Sequence, residues 1–132
     1  MDALGLCVFG FAPRGVMPLD LMIRCLNAVT GWNASLFELM KAAERGTMIA
    51  RAFNRLEGFT IKDDQLPRRL FDPKPDGPNA GVRIFTEEEF EKGIEKLYEV
   101  IGCDPQTGRP SRGKLIELGL EWVEDLLNER QG

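Results

Sequence analysis

ASLFELMKAAERGTMIARAFNRL, residues 34–56, is the stretch that decides the fold class. Leu36, Met40, Ala43, Thr47, Ala50 and Phe53 recur along it in steps of three or four, the spacing that lines one face of an α-helix. The pattern predicts a long helix from about Ala34 to Leu56, with Asn33 as its N-cap. Gly46 weakens its middle by about 1 kcal/mol relative to alanine. The small side chains of Ala42, Ala43, Gly46 and Ala50 would let another backbone approach closely along one side.

On the N-terminal flank, PLDLMIRCLNAVTGW (18–32) predicts a helix from about Leu19 to Val29, with Asp20 in its first turn and Gly31 as its stop. Downstream, TEEEFEKGIEKLYEVIG (86–102) predicts a helix over about Thr86–Ile101. Thr86 and Glu89 form a capping box there, and Phe90, Ile94, Leu97, Tyr98 and Ile101 make the apolar stripe. CDPQTGRP is a turn. Ser111 caps a short helix carrying Leu115, Ile116 and Leu118, which Gly119 ends. EWVEDLLNER is a terminal helix expected to pack Trp122, Val123, Leu126 and Leu127. Between these helices, residues 57–85 hold four of the eight prolines, all from Pro67 to Pro78. So long a segment without regular structure is either a functional loop or a strap around a neighbouring surface. No strand pattern competes. The expectation is an all-α domain of about five helices, spanning 1–132 as one unit with a single long Pro/Gly-rich loop.

Composition narrows the chemistry. There is no histidine and there are three cysteines, Cys7, Cys25 and Cys103. Histidine-based triads, histidine-ligated zinc and histidine general bases are therefore absent from this chain. Three widely spaced cysteines do not form a disulfide framework, and an acidic chain of this kind reads as cytoplasmic. A formal charge of −4 without a basic block argues against nucleic acid. Asp2 stands where a signal peptide needs positive charge, and no apolar run reaches the length of a membrane span. Charge is uneven: residues 1–56 hold six Lys/Arg against four Asp/Glu, whereas 57–132 hold eleven against seventeen. The first part reads as the face turned to a partner or cofactor, the second as solvent-facing.

DALGLC, residues 2–7, is the segment most suggestive of chemistry. A carboxylate can accept paired hydrogen bonds from a guanidine-like heterocycle, glycine permits close approach of a bulky ligand, and a cysteine offers a soft thiolate suited to iron–sulfur ligation. Read from spacing alone, the favoured reading is the plain one, with Cys7 a buried core thiol and Asp2 a helix cap. Elsewhere the plainer readings stand. Asn54, Arg55 and Glu57 satisfy a helix C-terminus or line a channel; Lys62, Asp63 and Asp64 form a solvated turn; Arg68 and Arg69 are an exposed pair; Glu87, Glu88 and Glu89 complement a helix dipole.

DALGLC also resembles the D-x-x-G-L-C motif of the tungsten-containing aldehyde ferredoxin oxidoreductases. AFNRLEGFTIKDDQLPRRLF (52–71), PDGP with the following Gly81 (75–78), and GRPSRGKLIELGLE (108–121) resemble that family's C-terminal region in the same order. The resemblance implies a binding site for a tungsten, or molybdenum, bis-pterin cofactor (molybdopterin) and a four-iron four-sulfur cluster. Asp2 would hydrogen-bond the pterin, Gly5 and Leu6 would shape its pocket, and Cys7 would be the last of four cluster thiolates. The family's other three thiolates lie in an upstream C-x-x-C-x-x-x-C group that this sequence does not contain, and Cys25 and Cys103 do not match them. The resemblance therefore implies the C-terminal part of a longer enzyme, excised or truncated just before the motif. Its partners would be the upstream domains, an aldehyde substrate and ferredoxin as electron acceptor. Alone, the chain is expected to be inactive, free of metal, and prone to self-association through apolar residues near its N-terminus. A competing expectation is a cofactor-free helical interaction domain of the same lineage, docking through Leu4–Ala12.

Overall fold

The computed structural model describes residues 2–7, 9 and 17–129. Five α-helices run through the described residues: α1 (Leu19–Thr30), α2 (Leu36–Leu56), α3 (Glu87–Ile101), α4 (Arg112–Glu117) and α5 (Glu121–Glu129). Single 3-10 turns occupy Asp2–Leu4, Ile61–Asp63 and Arg68–Leu70. The chain is all-α. No helix among the described residues is long and apolar enough to cross a membrane.

Each helix starts and stops for a local reason. α1 ends on Gly31, whose left-handed backbone (φ 74°) lets its N–H reach the Asn27 carbonyl. The Asn27 side chain then bridges forward, donating to the Ala34 carbonyl and accepting from the Ala34 N–H, both at 3.0 Å. This ties the end of α1 to the start of α2. α2 begins two residues later than the sequence predicts, and its cap is Ser35 rather than Asn33. Ser35 Oγ accepts from the Glu38 N–H, and the Glu38 carboxylate accepts from the Ser35 N–H at 2.7 Å. That reciprocal pair satisfies two donors at once, more than Asn33 offers from its place ahead of the helix. Thr86 and Glu89 form the expected box at the start of α3.

α2 is the spine, and it is covered on two sides. Met48 and Ala52 face a closed core built with Tyr98 of α3, Cys103, Leu115, Leu118, Leu120, and Val123 and Leu127 of α5. A rim of charge seals the seam between α2 and α4: Lys114 meets Glu44 and Glu117, each at 2.9 Å, and Lys41 meets the same two acids. On another side, Leu39 of α2 and Met22 of α1 are buried. There the Asp2–Leu4 turn lies over Gly46, where an added Cβ would sit 3.6 Å from the Ala3 carbonyl oxygen. The close approach expected along the small side chains occurs at that point.

The stripe predicted for α2 is not the one its core uses. Met40 and Phe53 are 61% and 60% exposed, Leu36, Thr47 and Ala50 are exposed, and Ala43 is half-buried. α5 shows the same displacement: Val123 and Leu127 are buried, whereas Trp122 and Leu126 face outward. In α3, Leu97 is exposed beside buried Tyr98, and Ile116 of α4 is exposed beside buried Leu115. These helices carry more apolar surface than this chain covers.

The 57–85 segment is fastened to the molecule's own surface. Phe71 meets Phe85 and Phe90 edge-on at 5.7 and 5.6 Å between centroids, pinning the loop to the first turn of α3.

Candidate functional site

The 2–7 segment turns on Gly5, whose φ of 70° is a conformation other residues rarely adopt. Among the described residues nothing lies within 4 Å of where a Gly5 Cβ would stand, so the glycine is required by the bend and not by crowding from them. Leu4 and Leu6 on either side are half-buried, and Cys7 is exposed. The reading of Cys7 as a core thiol does not hold. The Asp2 side chain lies outside the described residues, as do positions 8 and 10–12 of the Leu4–Ala12 docking segment.

Beside this turn opens a cleft of about 340 Å³, walled by Leu4, Leu6, Met22, Cys25 and Leu26, with Val29 and Trp32 at its rim. A larger hollow, about 470 Å³, lies between Arg68, Phe71, Glu87 and Phe90 and shares no residue with the 2–7 segment.

The other two thiols behave as ordinary side chains. Cys103 is buried with its Sγ 4.0 Å from Met48 Sδ, and burial pushes its pKa up, which keeps it a neutral thiol. Cys25 is half-buried on the cleft wall. A four-iron four-sulfur cluster takes four thiolates. Among the described residues no group of three or more His, Cys, Asp or Glu side chains could hold a metal ion. Taken by itself, this donor set does not fit the cluster, although an exposed Cys7 on an open turn is free to supply one ligand of it.

A second polar constellation was invisible in the sequence. Arg51 of α2 donates from Nε to the Gly108 carbonyl at 2.8 Å and from Nη2 to Asp64 at 2.7 Å, and its guanidinium lies 4.4 Å from the Tyr98 ring centre. Tyr98 donates its hydroxyl proton to the same Asp64 carboxylate. Burial raises the Asp64 pKa, but the Arg51 and Tyr98 hydrogen bonds outweigh it and hold the carboxyl below its ordinary value. Asp64 is therefore not part of a solvated turn. It joins the loop after α2 to α3, while Asp63 caps the small turn through Thr60. Three residues on three elements, 13 and 34 positions apart for the two Asp64 contacts, leave no local signal. Their placement is structural: they lock two loops onto α2. Arg55 likewise serves its helix end, donating to the Phe59 carbonyl at 2.9 Å. Arg68 and Arg69 are exposed as expected.

Among the described residues of this all-helical chain, Cys7 is the exposed thiol, two residues past the Gly5 bend. Sequence comparisons place the chain in a family. Residues 1–120 match the family model for aldehyde ferredoxin oxidoreductase, domains 2 and 3, and the chain belongs to that family. It is similar to the tungsten-containing aldehyde ferredoxin oxidoreductases of Pyrococcus horikoshii and Pyrococcus abyssi, 37% identical to each over 123 residues. Each match takes in 92% of this chain and 19% of the relative, so the chain spans about one fifth of the length of these enzymes. Among solved structures, the active-site complex BamBC of benzoyl coenzyme A reductase with 1,5-dienoyl-CoA superposes with a TM-score of 0.75 at 26% identity, covering 98% of this chain and 18% of that one.

Proposed function

We propose that residues 1–132 form one helical unit of an aldehyde ferredoxin oxidoreductase-type enzyme and complete its cofactor site. In this reading the whole enzyme converts an aldehyde to a carboxylate and passes the electrons to ferredoxin. The tungsten or molybdenum bis-pterin, with its iron–sulfur cluster, supplies the redox chemistry. This chain's residues bind and shape: the Asp2 carboxylate accepts hydrogen bonds from pterin N–H groups, Gly5 and Leu6 form part of the pocket wall, and Cys7 gives one cluster thiolate. The remaining three thiolates come from polypeptide outside these residues. A single observation carries the reading: Cys7 is exposed two residues after the Gly5 bend, in the segment that carries the family resemblance. An acidic, cysteine-poor chain supports a cytoplasmic setting.

The test is metal and pterin analysis of the enzyme assembled with its remaining polypeptide. Cys7→Ser should lower iron content and alter the cluster's EPR signal, and Asp2→Ala should release pterin. Unchanged iron in Cys7→Ser removes Cys7 from the site. The 132-residue chain alone should purify colourless and inactive. A second reading, a cofactor-free interaction domain, draws on the finding that no group of three or more His, Cys, Asp or Glu side chains among the described residues could hold a metal ion; iron-free assembled enzyme would favour it.

A further inference from the structure

Gly46, Gly93 and Gly113 lie inside the described α-helices, and only the first has a neighbour to make room for. Among the described residues, nothing stands within 4 Å of an added Cβ at Gly93 of α3 or Gly113 of α4. At Gly46 of α2 an added Cβ would meet Ala3, 3.6 Å from its carbonyl oxygen and 3.7 Å from its Cβ. The backbone at Gly46 is helical, so no left-handed conformation calls for glycine there. A mid-helix glycine also weakens the helix relative to alanine. What the position gains in return is the seated turn.

The support under that turn is fixed. Lys41 and Glu44 are ion-paired to Glu117 and Lys114 of α4, and Arg45 donates to the Leu118 carbonyl. Met48, two residues on, is 1% exposed in the closed core. Of the helices and turns packed on α2, the Asp2–Leu4 turn makes the most extensive contact. From Ala3 to Cys7 the chain is short and carries the Gly5 bend, so the height of the turn is passed directly to the thiol.

We propose that Gly46 is a positioning residue: it seats the Asp2–Leu4 turn on α2, and its missing side chain sets where Cys7 is presented. The inference rests on the proposed role of Cys7 and adds a residue of another element on which that role depends. Alanine fits at the seat, because its Cβ would be in ordinary van der Waals contact with Ala3. Valine adds two methyl groups about 1.5 Å beyond that Cβ, and the turn must move to admit them. Metal ligands tolerate displacements of only about 0.5 Å, so the shift reaches the cluster.

One experiment tests the contact and a second its consequence. In the 132-residue chain, Ala3→Cys combined with Gly46→Cys should close a disulfide under mild oxidation, because 3.7 Å between Cβ atoms lies within the range that disulfides span. Peptide mapping separates this 3–46 link from any that involves Cys7, Cys25 or Cys103, and its failure to form overturns the inference. In the enzyme assembled with its remaining polypeptide, Gly46→Val should change the cluster's EPR signal and speed iron loss to a chelator at least about ten-fold. Gly46→Ala should match the unaltered enzyme in both. So should Gly93→Val, the same change inside α3 where no neighbour stands. Failure of either effect in Gly46→Val, or an equal effect from Gly46→Ala or Gly93→Val, overturns the inference. If Gly46→Val does not assemble, the disulfide-linked pair carries the test: it locks the turn on its seat and should keep the unaltered EPR signal, and a changed signal overturns the inference. Iron measured in Cys7→Ser on the same preparation separates the two claims. Cys7-dependent iron with an unaltered Gly46→Val defeats only this inference, and a 3–46 disulfide with Cys7-independent iron defeats only the cluster assignment.

Discussion

The two covered sides of α2 are finished to different degrees. Toward the C-terminal half, Met48 and Ala52 sit in a core where Tyr98, Leu115 and Leu120 are at most 1% exposed, and ion pairs close its edge. Toward the N-terminal segment, Leu39 and Met22 are buried but Leu4, Leu6, Cys25 and Leu26 are only half covered, and the cleft between them stands open. One helix thus serves a closed core on one side and, among the described residues, a more open one on the other.

The largest test of that contrast is a pair of truncations. Leu115→Ala removes a fully enclosed side chain and should lower unfolding free energy by about 3 kcal/mol or more, whereas Leu4→Ala on the cleft wall should cost under about 1 kcal/mol. Urea denaturation of the two variants measures both. Equal losses would erase the distinction between the two sides.

Next comes the clamp over the closed side. Arg51→Ala strips Asp64 and Gly108 of a donor and Tyr98 of its cation, and should cost about 2 kcal/mol. Gly108→Ala attacks the same clamp from the other end, because φ is 66° there and an added Cβ would collide with the Arg51 guanidinium. Its pH signature follows from the direction of the shifts. Asp64 is held below its ordinary pKa against the opposing effect of burial, and Glu44 and Glu117 are lowered by hydrogen bonds from Lys114 and Lys41. A depressed carboxyl contributes stability that is present above the unfolded value, about 4, and is lost as pH falls through the folded one. Urea midpoints should therefore hold steady from pH 7 to about 5 and drop below about 4. Asp64→Asn should flatten part of that drop; a drop identical to that of the unaltered chain would remove Asp64 from it.

What the sequence disclosed and what it hid divide along the same line. Helix positions were legible because caps and glycine stops are local: Thr86 with Glu89, Gly31 and Ser111 all act within a few residues. The face each helix turns inward was less legible. On α2, Leu36, Met40 and Phe53 have the spacing of a core stripe, yet Met48 and Ala52 fill the closed core. Periodicity marks an apolar face without saying which protein covers it, and α2 has two such faces. The Arg51–Asp64–Tyr98 clamp was illegible because its members meet only through the fold. The DALGLC segment stood out by its residue types, and the exposure of its thiol is something the surrounding apolar sequence argued against.

The smallest expected effect bears most directly on the unfinished side. Val29 is 87% exposed in this chain and contacts little that its loss would disturb. Val29→Asp in the 132-residue chain should change unfolding free energy by no more than about 0.5 kcal/mol, as exposed substitutions generally do. Where other polypeptide of the enzyme covers this face, the same change would place a carboxylate in a desolvated apolar seam, where an unpaired charge is costly. A residue that matters to the assembly and not to the isolated fold is the mark of an interface. The two denaturation curves should therefore agree for the chain alone while the assembled variant dissociates more readily in gel filtration. A large loss in the isolated chain would instead show that Val29 belongs to this chain's own core, and that the open side of α2 needs no covering partner to be stable.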